Sequence, residues 1–218
     1  MKTKLCFIYL LIIMQSSWGQ NCDFEIRNLS NQLKVSFEIV NEFAHENVPI
    51  EPYVEFSPLS ELVLLKEYPE IFTRKDSCLI YKSDTKETSL CNKNVQSKEY
   101  FSYEVKGNYC GYALIKTTGY ETWGFVSIDL KNGTSFYTLG KPLTLVGETS
   151  ISYSNYYGEE EIALTDLKTK KQYVIGIEGW RTIQSKAYSN TYYLKLVSGF
   201  QEDCEKEMKY LKIALKDN

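Results

Sequence analysis

Three segments of this chain repeat one layout: an apolar run, an aspartate, a lysine-bearing polar turn, and a second apolar or aromatic run. They are Leu79-Ile-Tyr-Lys-Ser-Asp-Thr-Lys-Glu-Thr-Ser-Leu90, Val126-Ser-Ile-Asp-Leu-Lys-Asn-Gly-Thr-Ser-Phe-Tyr137 and Ile162-Ala-Leu-Thr-Asp-Leu-Lys-Thr-Lys-Lys-Gln-Tyr173. Asp84, Asp129 and Asp166 fall 45 and 37 residues apart, the period range of stacked supersecondary units. Each segment reads as a β-hairpin, in which the aspartate accepts backbone hydrogen bonds in the turn and Asn132-Gly133 supplies positive φ. Upstream, Leu33, Val35, Phe37 and Ile39 alternate with Lys34, Ser36 and Glu38, the signature of a strand buried on one face. Sustained helical periods are few. The Leu62-Val-Leu-Leu65 run fits a buried strand, although Ser57-Pro58 also fits the start of a helix ending before Pro69.

Phe56-Ser-Pro58 ahead of an apolar run, and the outer-turn sequences Asp-Leu-Lys-Asn-Gly133 and Asp-Leu-Lys-Thr-Lys170, resemble the blade repeats of TolB-like and WD40-like β-propellers over residues 53–176. The resemblance implies an all-β fold of antiparallel hairpins grouped into four-stranded, propeller-like units near 53–92, 100–140, 141–176 and 177–215. In the first unit, strands are expected near 53–56, 62–66, 78–82 and 88–91. The fourth unit lacks its last strand, and the N-terminal strand Leu33 to Ile39 supplies it. Such closure removes exposed sheet edges. A β-sandwich or a curved open sheet remains the alternative architecture.

The chain opens with Lys2 and Lys4, an apolar run from Leu5 to Met14, and Ser16-Ser-Trp-Gly19, the three regions of a secretory signal peptide. Cleavage after Gly19 leaves a β-rich domain over 20–218, secreted or held in the periplasm or cell envelope. The apolar run is too short to span a bilayer, which takes about 20 residues. Removing the leader takes away two lysines and no acid, moving the net charge from −3 to −5. That balance argues against nucleic acid or an anionic membrane as partner, because both select basic surfaces. Export also makes the remaining cysteines disulfide candidates. Cys78 and Cys91 flank a hairpin turning at Asp84 and Thr85 and stand opposite one another; Cys22 and Cys204 would tie the two ends together.

Catalytic machinery is hard to assemble from these residues. The chain has one histidine, His45, in a polar stretch that reads as a surface loop. No Gly-x-Ser-x-Gly turn, Cys-x-x-Cys pair, Gly-rich phosphate loop or EF-hand pattern occurs, so no catalytic residue, metal or cofactor is assigned. The remaining candidates are surface groups. On the strand map, the connections around Lys116 to Thr122 and Ser154 to Glu160 emerge at one end with Tyr120, Glu121, Tyr156, Tyr157, Glu159 and Glu160, and Tyr68 joins them. Loops on a rigid β scaffold are where binding residues concentrate. The expected function is an exported, non-catalytic binding module gripping a protein or another extracellular ligand with an acidic, tyrosine-rich rim. The alternative is a carbohydrate-active protein, either a sugar-binding module or a two-glutamate hydrolase using residues such as Glu159 and Glu160. The Lys168 to Lys171 run reads as a solvated turn at the opposite end, and Trp123 and Trp180 as packing residues.

Overall fold

The computed structural model describes residues 23–49, 53–93, 100–199 and 206–216. They form four antiparallel sheets that follow one another along the chain. Two early strands, β1 (Arg27–Asn31) and β2 (Val35–Val40), join sheets built much later. The first sheet holds β3 (Phe72–Lys75), β4 (Cys78–Lys82) and β5 (Glu87–Cys91). The second holds β6 (Phe101–Tyr109), β7 (Tyr112–Gly119), β8 (Thr122–Asp129) and β9 (Ser135–Thr138). The third comprises β10 (Pro142–Val146), β11 (Thr149–Tyr156), β12 (Glu159–Asp166) and β13 (Gln172–Glu178), with β1 added outside β13. In the fourth, β14 (Trp180–Tyr188), β15 (Thr191–Ser198) and β16 (Met208–Leu215) are completed by β2, with Phe37 opposite Ile213 and Ile39 opposite Leu211.

The fold is all-β and built from repeated antiparallel units. Tyr112 to Ile115 on β7 and Ile162 to Thr165 on β12 are buried without alternation, because the second and third sheets have neighbours on both faces. On β15, buried Tyr192, Leu194 and Leu196 alternate with half-buried residues, so this strand turns one face to the core. Three apolar clusters link the first sheet to the second, the second to the third, and the third to the fourth. None of them contains residues of both the first and the fourth sheet.

Two of the three hairpin turns show the aspartate hydrogen bond expected of them; in the first, Ser83 rather than Asp84 makes the turn contact, its amide donating to the Lys86 carbonyl at 2.8 Å. Asp129 Oδ1 accepts from the Lys131 amide at 2.9 Å and Asp166 Oδ1 from the Thr169 amide at 2.7 Å. Cys78 pairs with Cys91 across β4 and β5 and is joined to it by a disulfide. Cys110 is a free, exposed thiol, while Cys22 and Cys204 lie outside the described residues.

Several expectations are corrected. Residues 62–66 are not a strand: Glu61–Glu67 forms a helix, capped by Ser60 Oγ, which accepts from the Val63 amide at 3.3 Å. The helix buries Leu64 completely in the first core and leaves Leu62 79% exposed, a division set by its place on the sheets. The segment from Tyr53 to Ser57 is no strand either; it makes isolated bridges from Tyr53 to Thr144 and from Ser57 to Asn108, lacing β10 to β6. His45 is no surface residue. It is fully buried on a short helix, Glu42–Glu46, where its ring lies 5.2 Å from that of Tyr210. Buried Lys186 donates to the carbonyls of His45 and Glu46 at 3.1 and 3.2 Å, closing the end of that helix. Burial, reinforced by the Lys186 charge, pushes the His45 pKa down.

In the basic turn Lys168, Thr169 and Lys171 are exposed, as expected, and only Lys170 is drawn in. Lys170, at φ +62, sends its ammonium to Asp129 Oδ2 at 2.9 Å, to the Leu167 carbonyl at 2.7 Å and to the Tyr112 hydroxyl. It therefore ties the third sheet to the second. Sequence spacing could not show this, because Asp129 and Tyr112 lie more than forty residues away.

Candidate functional site

At one end of the second and third sheets, two tight hairpin turns stand side by side. The β7–β8 turn carries Tyr120 and Glu121, and the β11–β12 turn carries Tyr157 and Gly158. What sequence reading takes as a loop from Ser154 to Glu160 is almost entirely strand, with Tyr156 paired to Glu159. Glu121 has φ +53 and Tyr157 φ +49, left-handed conformations that glycine or asparagine adopts more easily. Asp76, Cys110, Lys170 and Ser189 adopt the same conformation at other turns, so it marks the tight connections of these sheets in general.

The tips are locked together. The Tyr156 hydroxyl donates to the Glu121 carbonyl, and the Tyr156 ring sits 4.9 Å from that of Trp123 and 4.5 Å from that of Tyr157. Tyr137 donates to the Trp123 carbonyl at 2.6 Å. Its ring lies across Gly124, where a Cβ would meet the Tyr137 hydroxyl at 2.1 Å, so only glycine permits this packing. Outward from this tied base, Tyr120 is 57% and Tyr157 76% exposed. The Glu121 carboxylate pushes the Tyr157 hydroxyl pKa up by disfavouring a second negative charge. Beside Tyr120 runs a shallow groove of about 490 Å³ lined in part by Tyr100, Phe101 and Thr122.

Of the residues expected on this rim, Tyr120, Glu121, Tyr156 and Tyr157 do come together. Trp123 belongs with them as the half-buried support for Tyr156, a role that its strand position did not disclose. Tyr68 does not: it lines a groove of about 720 Å³ at the opposite end, with Cys110, Tyr112, Leu145 and Lys168. Glu159 and Glu160 do not form a pair. As successive residues of β12 they point to opposite faces. Glu159 faces Arg27 at 2.6 Å, and Glu160 turns into the core. These two carboxylates therefore do not converge on one reacting centre. Among the described residues no group of three His, Cys, Asp or Glu side chains is placed to hold a metal ion.

Glu160 is 1% exposed. Its Oε1 accepts from the Thr182 amide at 2.8 Å, while Oε2 is buried without a partner. Burial raises its pKa above the ordinary 4.5, against the pull of the Thr182 hydrogen bond. A carboxyl whose native pKa is raised stabilises the fold fully below its unfolded value, and that contribution is lost as pH rises through the native value. The Glu160→Gln variant should consequently be more stable than the parent at neutral pH, by about 1–3 kcal/mol. The gain should shrink toward pH 4.5. Urea titrations at both pH values test this; a variant destabilised at neutral pH would show that the charged form is satisfied. Compared with protein-family models, curated proteins and solved structures, the chain has no match.

Proposed function

We propose that this chain is an exported, non-catalytic binding module that docks an extracellular protein on the Tyr120–Glu121–Tyr157 rim. Export is supported by the leader-like N-terminus together with the Cys78–Cys91 disulfide, a bond that persists in oxidising compartments. No helix among the described residues is long and apolar enough to cross a membrane. The observation that carries the reading is the pair of hydrogen-bonded turns holding two exposed tyrosines next to an acid. Tyrosine offers large contact area at low entropy loss, and a prearranged base reduces the ordering cost of association.

A sugar-binding module is the second reading, since aromatic rings also stack on pyranose faces. The ring geometry favours protein. Trp123 and Tyr156 are inclined by 60° and Tyr156 and Tyr157 by 79°, which leaves no continuous flat platform for a sugar ring.

A photo-crosslinking residue at position 157, in the chain expressed in its own host, tests the assignment. A control probe goes at Tyr188, which is 55% exposed on β14. The expected result is a discrete protein adduct from position 157 and none from 188. Tyr120→Ala and Tyr157→Ala should each weaken the purified complex by about tenfold or more, with the unfolding midpoint nearly unchanged. Equal labelling from both positions, or an adduct suppressed by simple glycans, would defeat the reading.

A further inference from the structure

We infer that the short helix Glu42–Glu46 is an acid-released latch: it lies closed on the fourth sheet while the His45 ring beneath it is uncharged, and it lifts when that ring takes up a proton. His45 is 0% exposed, and both of its ring nitrogens are buried without a hydrogen-bond partner. No other described side chain buries two unpartnered polar atoms. A neutral imidazole carries one N–H donor and one acceptor nitrogen, so both functions go unmet. Leaving them unpaired already costs stability, and placing a charge there costs far more. The helix sits on the sheet face that carries Lys195 and Tyr210, which pair across β15 and β16 and alternate with Leu194, Leu196 and Leu211 of the core.

The groups around the ring leave no room for a further cation. From β14, Lys186, itself 4% exposed, sends its ammonium to the His45 and Glu46 carbonyls and to Glu46 Oε2 at 3.1 Å. From β15, Lys195 Nζ stands 3.6 Å from Glu46 Oε1 and 4.0 Å from Glu42 Oε1. From β16, the Tyr210 hydroxyl donates to Glu42 Oε1 at 2.8 Å. Glu46 Oε1 is 3.4 Å from His45 Nδ1 but makes no hydrogen bond to it. An imidazolium would therefore be the third cation on one carboxylate. Closure selects the neutral ring, in keeping with its lowered pKa. A ring whose closed-state pKa lies below the 6.5 of a free imidazole holds the helix down fully above pH 6.5, and this hold is lost as pH falls through the lower value. The release is local. β2 stays in its ladder up to the Val40–Tyr210 pair, while the helix itself rests on a few bonds, such as Ala44 N–H to Asn41 Oδ1 at 2.8 Å and Asn47 N–H to the Phe43 carbonyl at 3.2 Å. Lifting it uncovers Lys186 and Tyr210.

His45 is the only histidine of the chain, so its ring signals are unambiguous by NMR. They are followed between pH 7.5 and 5.0 together with the amides of Ala44, Asn47 and Val48, which donate within this turn, and with the β2–β16 ladder amides as reference. Glu46, whose pKa is lowered by its hydrogen bond to Lys186, stays charged over this range. Hydrogen exchange at the three helix amides, corrected for its intrinsic pH dependence, should accelerate by about threefold to thirtyfold, the upper bound being set by the pKa of a free imidazole. The ladder amides should keep their rates. His45→Phe retains a ring without a titrating nitrogen, so it should abolish the acceleration. Where that variant does not fold, the parent decides alone, because its ring signals and its helix amides should change over the same pH interval. Constant helix exchange down to pH 5.0, whether or not the ring protonates, overturns the proposal. So does equal acceleration in the ladder, which would be general loosening of the fourth sheet, or acceleration that persists in His45→Phe.

Discussion

Trp180→Ala is expected to lower the unfolding free energy by about 3–5 kcal/mol, the range for emptying a large aromatic site in a packed core. Trp180 is fully buried at the start of β14, where it joins the cluster shared by the third and fourth sheets. Its ring meets Phe24 edge-on at 5.1 Å, and its indole N–H donates to the Asp23 carbonyl at 3.0 Å. Truncation removes the contact area, opens a cavity between two sheets and strips the N-terminal segment of its anchor. Trp180→Phe keeps most of the volume and loses the N–H donor, so it should cost less, about 1–2 kcal/mol. Denaturant unfolding measures both, and an unchanged slope would show that only stability has moved. A loss below about 1 kcal/mol for the alanine variant would mean that the site collapses around the gap, against the tight packing described for it.

Gly133→Ala is the second large effect. Gly133 closes the β8–β9 turn at φ +71, and a Cβ there would lie 1.9 Å from the Lys82 carbonyl oxygen of the first sheet. The obstructing atom is backbone, so no flexible side chain can swing away. Left-handed strain of about 1–2 kcal/mol adds to overpacking of about 1–3 kcal/mol. Gly147→Ala serves as a matched control. Gly147 has φ +55 with no atom within 4 Å of its Cβ position, so it should show the conformational part alone. The difference between the two variants reports how firmly the first and second sheets abut. Equal losses would indicate that the two turns separate at little cost.

The hairpins were legible because their determinants are local. The alternation of Leu33 to Ile39, the Asp129 and Asp166 turns and the facing of Cys78 and Cys91 all follow from side-chain period and turn chemistry within a dozen or so residues. Even the capture of the N-terminal strand by the last sheet was readable, because a fourth unit short of one strand leaves an unpaired edge. The failures share another character. Leu62 to Leu65 satisfies both helix and strand patterns, and the choice fell to helix through the Ser60 cap and a single core slot for Leu64. His45 looked solvated among polar neighbours, but its helix lies against β15 and the fourth sheet's Lys186 and Tyr210. Glu160 carried the same charge signal as Glu159; strand alternation sent one to Arg27 and the other into the core.

Of the rim proposed for binding, residue types and the common end of the sheets were readable in advance. The locking of one turn to the other by Tyr156, and the support from Trp123, were not. By itself the sequence determined an all-β chain of repeated hairpins, their turn positions and one disulfide register, since hydrophobic period and turn conformation act over a few neighbouring residues. Only the tertiary structure decided which faces are covered, which acids find a cation and which two hairpin tips meet, because burial and charge pairing depend on residues brought together from distant parts of the chain.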